Sequence, residues 1–412
     1  MVERPRFCII GGGLAGGRAA EALRELGFPG EVVLLTEEPR LPHERPPLSK
    51  DYLLGRLPAE RLLTRPPEFY TDNAIEVRTG TRVTDIDPRG RVLSLLDGER
   101  LPYDRLLLAP GSEAVRPRIP GSDLEGVETL RTVEDADRIR SRLTARAPVL
   151  ILGAGFLGSE VAATARQMGC EVVLVEARGL PLLPMGSAIG SWAAAAHREQ
   201  GVDVVLSASV TEFRGGRELE QAVLSDGSLR TCQLAVVCVG ARPRVDLALR
   251  AGLRVDDGVL VDAAGFSSVP EILAAGDVAR FWHPGLRRSL RLEHWDNAQL
   301  QGRHAAEGML GEVAPYAPLP YFWTELYGAM VQQVGLWEAG RPEVRRGSPG
   351  AARFSLFQME GRRVVACVAV NRFPDLKQAR ILITAGREVD PSLLADPEND
   401  LKALAGKGLA SG

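Results

Sequence analysis

The apolar positions of this chain fall into one rhythm that occurs twice. Residues 7–10, Phe7-Cys8-Ile9-Ile10, form an uninterrupted apolar run, the pattern of a strand buried on both faces. Glycines follow, then small residues at helical spacing over 15–26, closed by Gly27-Phe28-Pro29-Gly30. A second strand is predicted over 31–35, running out at Thr36-Glu37. The same order returns as strand 149–152, glycines, helix 158–168, Gly169-Cys170, and strand 171–175 ending at Glu176. Each repeat reads as the strand–helix–strand opening of a doubly wound parallel sheet.

Around these units the pattern is less regular. Residues 41–57 read as a proline-rich loop, 75–96 alternate like a small antiparallel sheet, and 105–108 form a buried strand running into Pro110-Gly111. The second block continues with helix 187–200, strand 202–206, another small sheet and strand 234–239, so its layout repeats the first. Residues 259–310 fit neither block as an insertion and are assigned back to the first domain. From about 320 onward, short strands (330–334, 353–358, 364–370) precede helices, and the tail 401–412 is expected to fray. The predicted fold is α/β, with two Rossmann-like dinucleotide-binding domains and a C-terminal α+β domain. The expected boundaries are 1–115 with 246–319, then 116–245, then 320–412.

The glycines give this layout its chemistry. The first loop is Gly11-Gly12-Gly13-Leu14-Ala15-Gly16 and the second Gly153-Ala154-Gly155-Phe156-Leu157-Gly158. In each, the first glycine permits the tight turn, the second lets backbone approach a pyrophosphate, and the third lets helix and strand pack closely. The helix N-terminus then faces the anion. Either loop alone is also compatible with a plain turn that holds no ligand. Two loops, each followed by an acidic residue roughly 20 positions on (Glu37 and Glu176), point to two dinucleotides. The simplest use of two is hydride transfer between a nicotinamide and a flavin. A carboxylate at Glu176 accepts ribose hydroxyls and repels a 2′-phosphate, which favours NADH over NADPH. Arg178 reads either as a phosphate attractor or as a solvated charge. Asp277, in Ala275-Gly276-Asp277, suits a polyol chain such as ribityl or a plain helix cap. Lys50 alone reads as a surface lysine; beside a flavin its ammonium would stabilise the negative charge of the reduced ring.

Composition narrows the choice. A chain of 412 residues, 45% hydrophobic, has room for two or three domains. Its net charge of −3 gives no global reason to expect nucleic-acid or membrane binding. Without a signal-peptide pattern or a membrane-length apolar run, the expected location is the cytoplasm. The five cysteines (Cys8, Cys170, Cys232, Cys238, Cys367) include no CxxC or CxxxxC pair, and Cys8, Cys232 and Cys238 read as small buried apolar residues. His43, His197 and His283 read as loop or helix-surface residues. No histidine pair has metal-ligand spacing, so no metal site is expected.

More specific runs lie between the loops. Arg45-Pro46-Pro47-Leu48-Ser49-Lys50-Asp51, Val239-Gly240-Ala241-Arg242-Pro243, Ala275-Gly276-Asp277-Val278-Ala279, Glu293-His294-Trp295-Asp296-Asn297-Ala298, Gln301-Gly302 and Phe322-Trp323-Thr324 span nearly the whole chain. With the two loops, they make a chain that resembles the ferredoxin reductases of bacterial oxygenase systems. These are flavoproteins of the putidaredoxin-reductase, biphenyl-dioxygenase-reductase and rubredoxin-reductase kind, with the glutathione-reductase fold. The resemblance implies that Gly11, Gly13, Gly16, Glu37, Arg45, Lys50, Asp277 and Trp295 line FAD, and that Gly153, Gly155, Gly158, Glu160 and Glu176 serve NADH. It implies that Lys50 and Glu160 meet near the flavin–nicotinamide junction and that Trp323 lies near the flavin. The chain departs from the family pattern at Pro110, where a threonine is usual, at His43, where a tyrosine is usual, and at Phe322-Trp323-Thr324-Glu325-Leu326-Tyr327, where an FWSDQ run is common.

The expected activity is therefore transfer of hydride from NADH to FAD and of single electrons to a [2Fe–2S] ferredoxin or rubredoxin-like carrier serving a P450 or a ring-hydroxylating dioxygenase. The expected assembly is a monomer or homodimer, with no nucleic-acid or membrane partner. Missing paired cysteines argue against disulfide reduction. Arg287, Arg288 and Arg291 offer either a ferredoxin docking patch or a solvated charge run. An NADH oxidase or peroxidase is the first alternative, opposed by the lack of cysteine in 41–57. A flavin-bearing binding protein resembling apoptosis-inducing factor is the second, weakened by the absence of long basic runs.

Overall fold

A computed structural model of the chain describes residues 4–406. The chain divides into two compact units, the first comprising the chain up to Pro47, Leu57–Glu113 and Ala241–Pro318. The second comprises Leu48–Arg56, Ala114–Gly240 and the chain from Leu319 onward.

The first unit is built on a parallel sheet whose strand order is Ile272–Ala274, Arg105–Leu108, Arg6–Ile10, Glu31–Leu35 and Ile75–Arg78. Its inner strands are apolar because helices or loops cover both faces; Cys8, Ile9, Leu106 and Leu107 are fully buried. Residues 75–78 were expected in the small antiparallel sheet. They instead extend the parallel sheet, with Val32 opposite Ile75 and Leu34 opposite Val77. Their short alternation fits an edge strand of either kind, and the long-range register decides. The antiparallel sheet itself is Val83–Asp87, Val92–Leu95 and Arg100–Pro102.

The second unit repeats this plan with the strand order Asp203–Leu206, Glu171–Glu176, Pro148–Leu152, Leu234–Val237 and Val127–Thr129, all parallel. The edge strand beside the last central strand comes from opposite chain positions in the two halves. Ile272–Ala274 closes the first unit late, whereas Val127–Thr129 precedes the other strands of the second. A duplicated core thus tolerates a discontinuous first domain.

The second unit also carries a five-stranded antiparallel sheet ordered Tyr321–Leu326, Ala329–Gly335, Arg363–Val370, Arg353–Glu360 and Glu343–Ser348. The helix Phe373–Ala385 buries Leu376, Ala379 and Leu382 in a cluster with Val334, Phe357 and Cys367. Arg346, buried on this sheet, donates to the carbonyls of Pro397 (3.0 Å) and Asn399 (2.7 Å) and so ties down the chain beyond residue 390. The expectation of a frayed tail is corrected for Leu401–Gly406, a helix with Leu401 and Ala405 buried. Its last part, 407–412, lies outside the described residues.

The three histidines placed at the surface by sequence are buried, each with at least one ring nitrogen against a carbonyl or hydroxyl. His43 Nδ1 lies 3.1 Å from the Leu41 carbonyl, and His283 Nε2 lies 3.0 Å from that of Pro318. His197, in the last turn of the helix Ser187–Glu199, has Nδ1 at 2.8 Å from the Tyr327 hydroxyl. Burial pushes its imidazolium down from 6.5 to about 4. The unfolded chain therefore binds more protons between these values, so stability should fall as pH drops from 6.5 toward 4, by up to about 1.4 kcal/mol per pH unit. Urea unfolding across this window should show a shallower pH dependence in His197→Gln. Equal slopes in variant and parent would refute the assignment.

Candidate nucleotide sites and the Lys50 cluster

Each glycine loop follows a central strand and opens a helix: Leu14–Glu25 in the first unit, Phe156–Gln167 in the second. Gly11 and Gly153 hold φ of +116° and +95°, which side-chain-bearing residues rarely adopt. A Cβ at Gly11 would meet the Ala109 carbonyl oxygen at 2.0 Å, and one at Gly153 the Cys238 carbonyl at 2.5 Å. The third glycines are as tight, with a Cβ on Gly16 or Gly158 falling 1.9 or 1.8 Å from the carbonyl oxygen of the loop's own first glycine. The middle glycines differ. A Cβ on Gly13 or Gly155 would meet nothing within 4 Å. These glycines cap their helices without a side-chain acceptor, and neither first turn is acidic. Both loops therefore leave space, backbone N–H groups and a helix N-terminus suited to a pyrophosphate.

The acidic partners are not placed alike. Glu176 ends its strand and accepts from the Ala154 N–H (2.7 Å) and the Arg178 N–H (2.8 Å). In the first unit, Gly11 N–H bonds Leu35 and Gly153 N–H bonds Val175, so Thr36 holds the position equivalent to Glu176. Glu37 lies one residue further, half-exposed, 3.0 Å from Arg244 and 3.6 Å from Arg82. The even spacing read from the sequence hides this offset.

The other first-unit candidates are each held by a polar partner. The Trp295 indole N–H donates to Glu44, whose carboxyl is pushed up by burial and drawn back by that bond. Arg45 pairs with Glu38 at 2.5 Å, and the Ser112 hydroxyl donates to Asp277 at 2.8 Å. Sequence reasoning did not assign roles to Asn297, Gln301 and Gly302. The Gln301 amide oxygen accepts from Gly276 N–H (2.9 Å), Asn297 bridges Gln301 and the Tyr316 hydroxyl, and a Cβ on Gly302 would lie 2.4 Å from the Ala15 carbonyl oxygen. These residues fix the Gly276-Asp277 turn and seat this helix on the first-loop helix.

In the second unit, Lys50 and Glu160 meet at 2.7 Å. Glu160 is buried on the second-loop helix. Its Oε2 also accepts from Ser49 Oγ (2.5 Å), and its Oε1 from Thr324 Oγ1 (2.7 Å). Thr164, one turn further along, donates to the Ser49 carbonyl at 2.6 Å. Tyr52 completes the attachment through its hydroxyl to Asp137 (2.8 Å) and its ring beneath Arg140. Trp323 alternates with Thr324 along its strand, so it lies on the opposite face from the Glu160 contact, stacked with Tyr321 at 6.0 Å. Phe322 shares the Thr324 face and packs edge-on against Phe156, the first residue of the second-loop helix, at 4.6 Å.

Residues 5–302 match the pyridine nucleotide-disulphide oxidoreductase family, and residues 321–405 match a reductase C-terminal domain. The chain belongs to this family. Among curated members it is 39% identical to the benzene 1,2-dioxygenase system ferredoxin–NAD(+) reductase subunit of Pseudomonas putida, over 96% of both chains. It is 35% identical to rhodocoxin reductase of Rhodococcus erythropolis, over 96% of this chain and 93% of that one. The reductase of the covalent putidaredoxin reductase–putidaredoxin complex superposes with a TM-score of 0.96 at 33% identity, covering 99% of this chain and 100% of that one. The family name refers to disulfides, but all five cysteines here are free. Burial pushes the thiols of Cys8, Cys232 and Cys238 up to about 12, far from the range of a reactive thiolate. No helix among the described residues is long and apolar enough to cross a membrane.

Proposed function

We propose that this chain is an FAD-dependent NADH:ferredoxin oxidoreductase that passes single electrons to an iron–sulfur ferredoxin of an oxygenase system. The observation that carries the reading is the pair of matching cradles, Gly11–Gly13–Gly16 and Gly153–Gly155–Gly158, each open only at its middle glycine. The first would hold FAD, with Glu37, Arg45, Asp277 and Trp295 as further contacts; the second would hold NADH, with Glu176 on the ribose. FAD, when bound, accepts a hydride from NADH and releases the electrons one at a time. The protein supplies orientation and charge. Lys50 provides a cation where negative charge develops, and buried Glu160 keeps that cation in place. The five free cysteines, four of them buried, provide no thiol pair to carry electrons onward, which supports an iron–sulfur acceptor over a disulfide. The cytoplasm is the compartment that suits NADH and a reduced ferredoxin.

The test is NADH-dependent cytochrome c reduction by the purified flavoprotein, with and without a [2Fe–2S] ferredoxin. The expected result is a rate that rises at least tenfold, to order of magnitude, when ferredoxin is added. NADH consumption that ignores ferredoxin and follows oxygen would overturn the reading and favour an oxidase.

A further inference from the structure

We propose that Thr324, together with Ser49, is a positioning residue for the Lys50–Glu160 pair, acting on flavin reduction without touching either cofactor. The inference rests on the function proposed above.

A buried carboxylate in an ion pair holds its geometry only if its remaining lone pairs are filled; otherwise its desolvation outweighs the attraction. Here they are filled from two separate stretches of chain. Thr324 Oγ1 donates to Glu160 Oε1 at 2.7 Å, and Ser49 Oγ donates to Oε2 at 2.5 Å beside the Lys50 ammonium at 2.7 Å. Thr324 is fully buried and Ser49 nearly so, so water does not substitute for either hydroxyl. The Ser49 carbonyl is held in turn by Thr164 at 2.6 Å, which fixes the backbone immediately before Lys50. Glu160 and Thr164 lie on one helix face and grip Ser49 by its side chain and its backbone.

The pair therefore has a fixed orientation that neither member sets by itself. Without the Thr324 hydroxyl, Glu160 Oε1 loses a buried donor, and the carboxylate is free to rotate and draw Lys50 with it. A displaced ammonium stabilises developing negative charge less well, because such stabilisation depends on preorganisation.

The test uses the FAD-loaded full-length protein and the variants Thr324→Val, Thr324→Ser and Ser49→Ala. Thr324→Val keeps shape and removes the hydroxyl; Thr324→Ser keeps the hydroxyl and removes a methyl. In stopped-flow reduction by NADH, Thr324→Val should lower the limiting rate about tenfold, one lost buried hydrogen bond, with the NADH dissociation constant within about twofold of the parent. Its flavin midpoint potential, read by spectroelectrochemistry, should become more negative. Thr324→Ser should restore both. Ser49→Ala should reproduce the Thr324→Val effects from the other side of the carboxylate, and it carries the test if the valine variant does not fold. Parental rates and potentials in Thr324→Val and Ser49→Ala, or equal impairment of Thr324→Val and Thr324→Ser, would overturn the proposal. A parent protein that binds no FAD, or is not reduced by NADH, would instead overturn the functional reading beneath it.

Discussion

Lys50→Gln should slow flavin reduction by NADH about 100-fold, the cost of removing one preorganised charge at a site of developing charge. The side chain is 21% exposed, and its ammonium rests on a carboxylate buried on the second-loop helix. Glutamine nearly matches the length and keeps a hydrogen-bond donor for Glu160, but carries no charge. The loss should therefore fall on the limiting rate and leave the NADH dissociation constant nearly unchanged, since a group that acts only as charge develops contributes little to ground-state binding. Lys50→Arg should recover only part of the rate, because the planar guanidinium cannot reproduce the compact contact at 2.7 Å. Glu160→Gln should resemble Lys50→Gln, since without the carboxylate nothing holds the Lys50 ammonium in place. Stopped-flow traces at several NADH concentrations separate rate from affinity. A Lys50→Gln limiting rate within twofold of the parent would remove Lys50 from the chemistry.

The residues of this site were not equally legible in the sequence. The glycine loops were, because their constraints are local: a turn, an open face and a close strand–helix contact within a few residues. Lys50 was visible only through the family resemblance, since a lysine in a proline-rich loop has no local sign of a partner. What fixes it is Glu160, 110 residues further along, and the hydroxyls of Ser49 and Thr324, whose type and spacing carry no periodic signal. Strand alternation does hold a clue in Phe322-Trp323-Thr324. Whichever face Trp323 takes, Thr324 takes the other, and the face toward Glu160 proves to be that of the threonine. The histidines were misread for a related reason: a single imidazole is buried when carbonyls or hydroxyls happen to reach it, and those partners lie elsewhere in the chain for His197 and His283. The offset between Glu37 and Glu176 likewise depends on strand register, which residue counting alone does not fix.

Two substitutions in the second loop should separate the loss of a ligand from the loss of a fold. Gly158→Ala places a Cβ 1.8 Å from the Gly153 carbonyl oxygen and 3.2 Å from the Cys238 Cβ, so the helix must move off its strand. Overpacking a close contact of this kind costs about 1–3 kcal/mol or more, and the variant should unfold at lower urea than the parent. Gly155→Val places its Cβ where no protein atom lies within 4 Å, at a φ of −69° open to residues other than glycine. It should fold with near-parental stability and parental FAD content, because the cradle proposed for FAD is the first one. Its branched side chain would occupy the approach to the pyrophosphate, so NADH affinity should drop at least 100-fold by order of magnitude, as a lost phosphate–backbone contact and a clash act together. Artificial one-electron reductants should still reduce its flavin at the parental rate. The decisive comparison is urea midpoint against NADH affinity in the two variants. If Gly155→Val binds NADH as the parent does, the open face at Gly155 is not where the pyrophosphate lies, and the assignment of the second cradle to NADH falls with it.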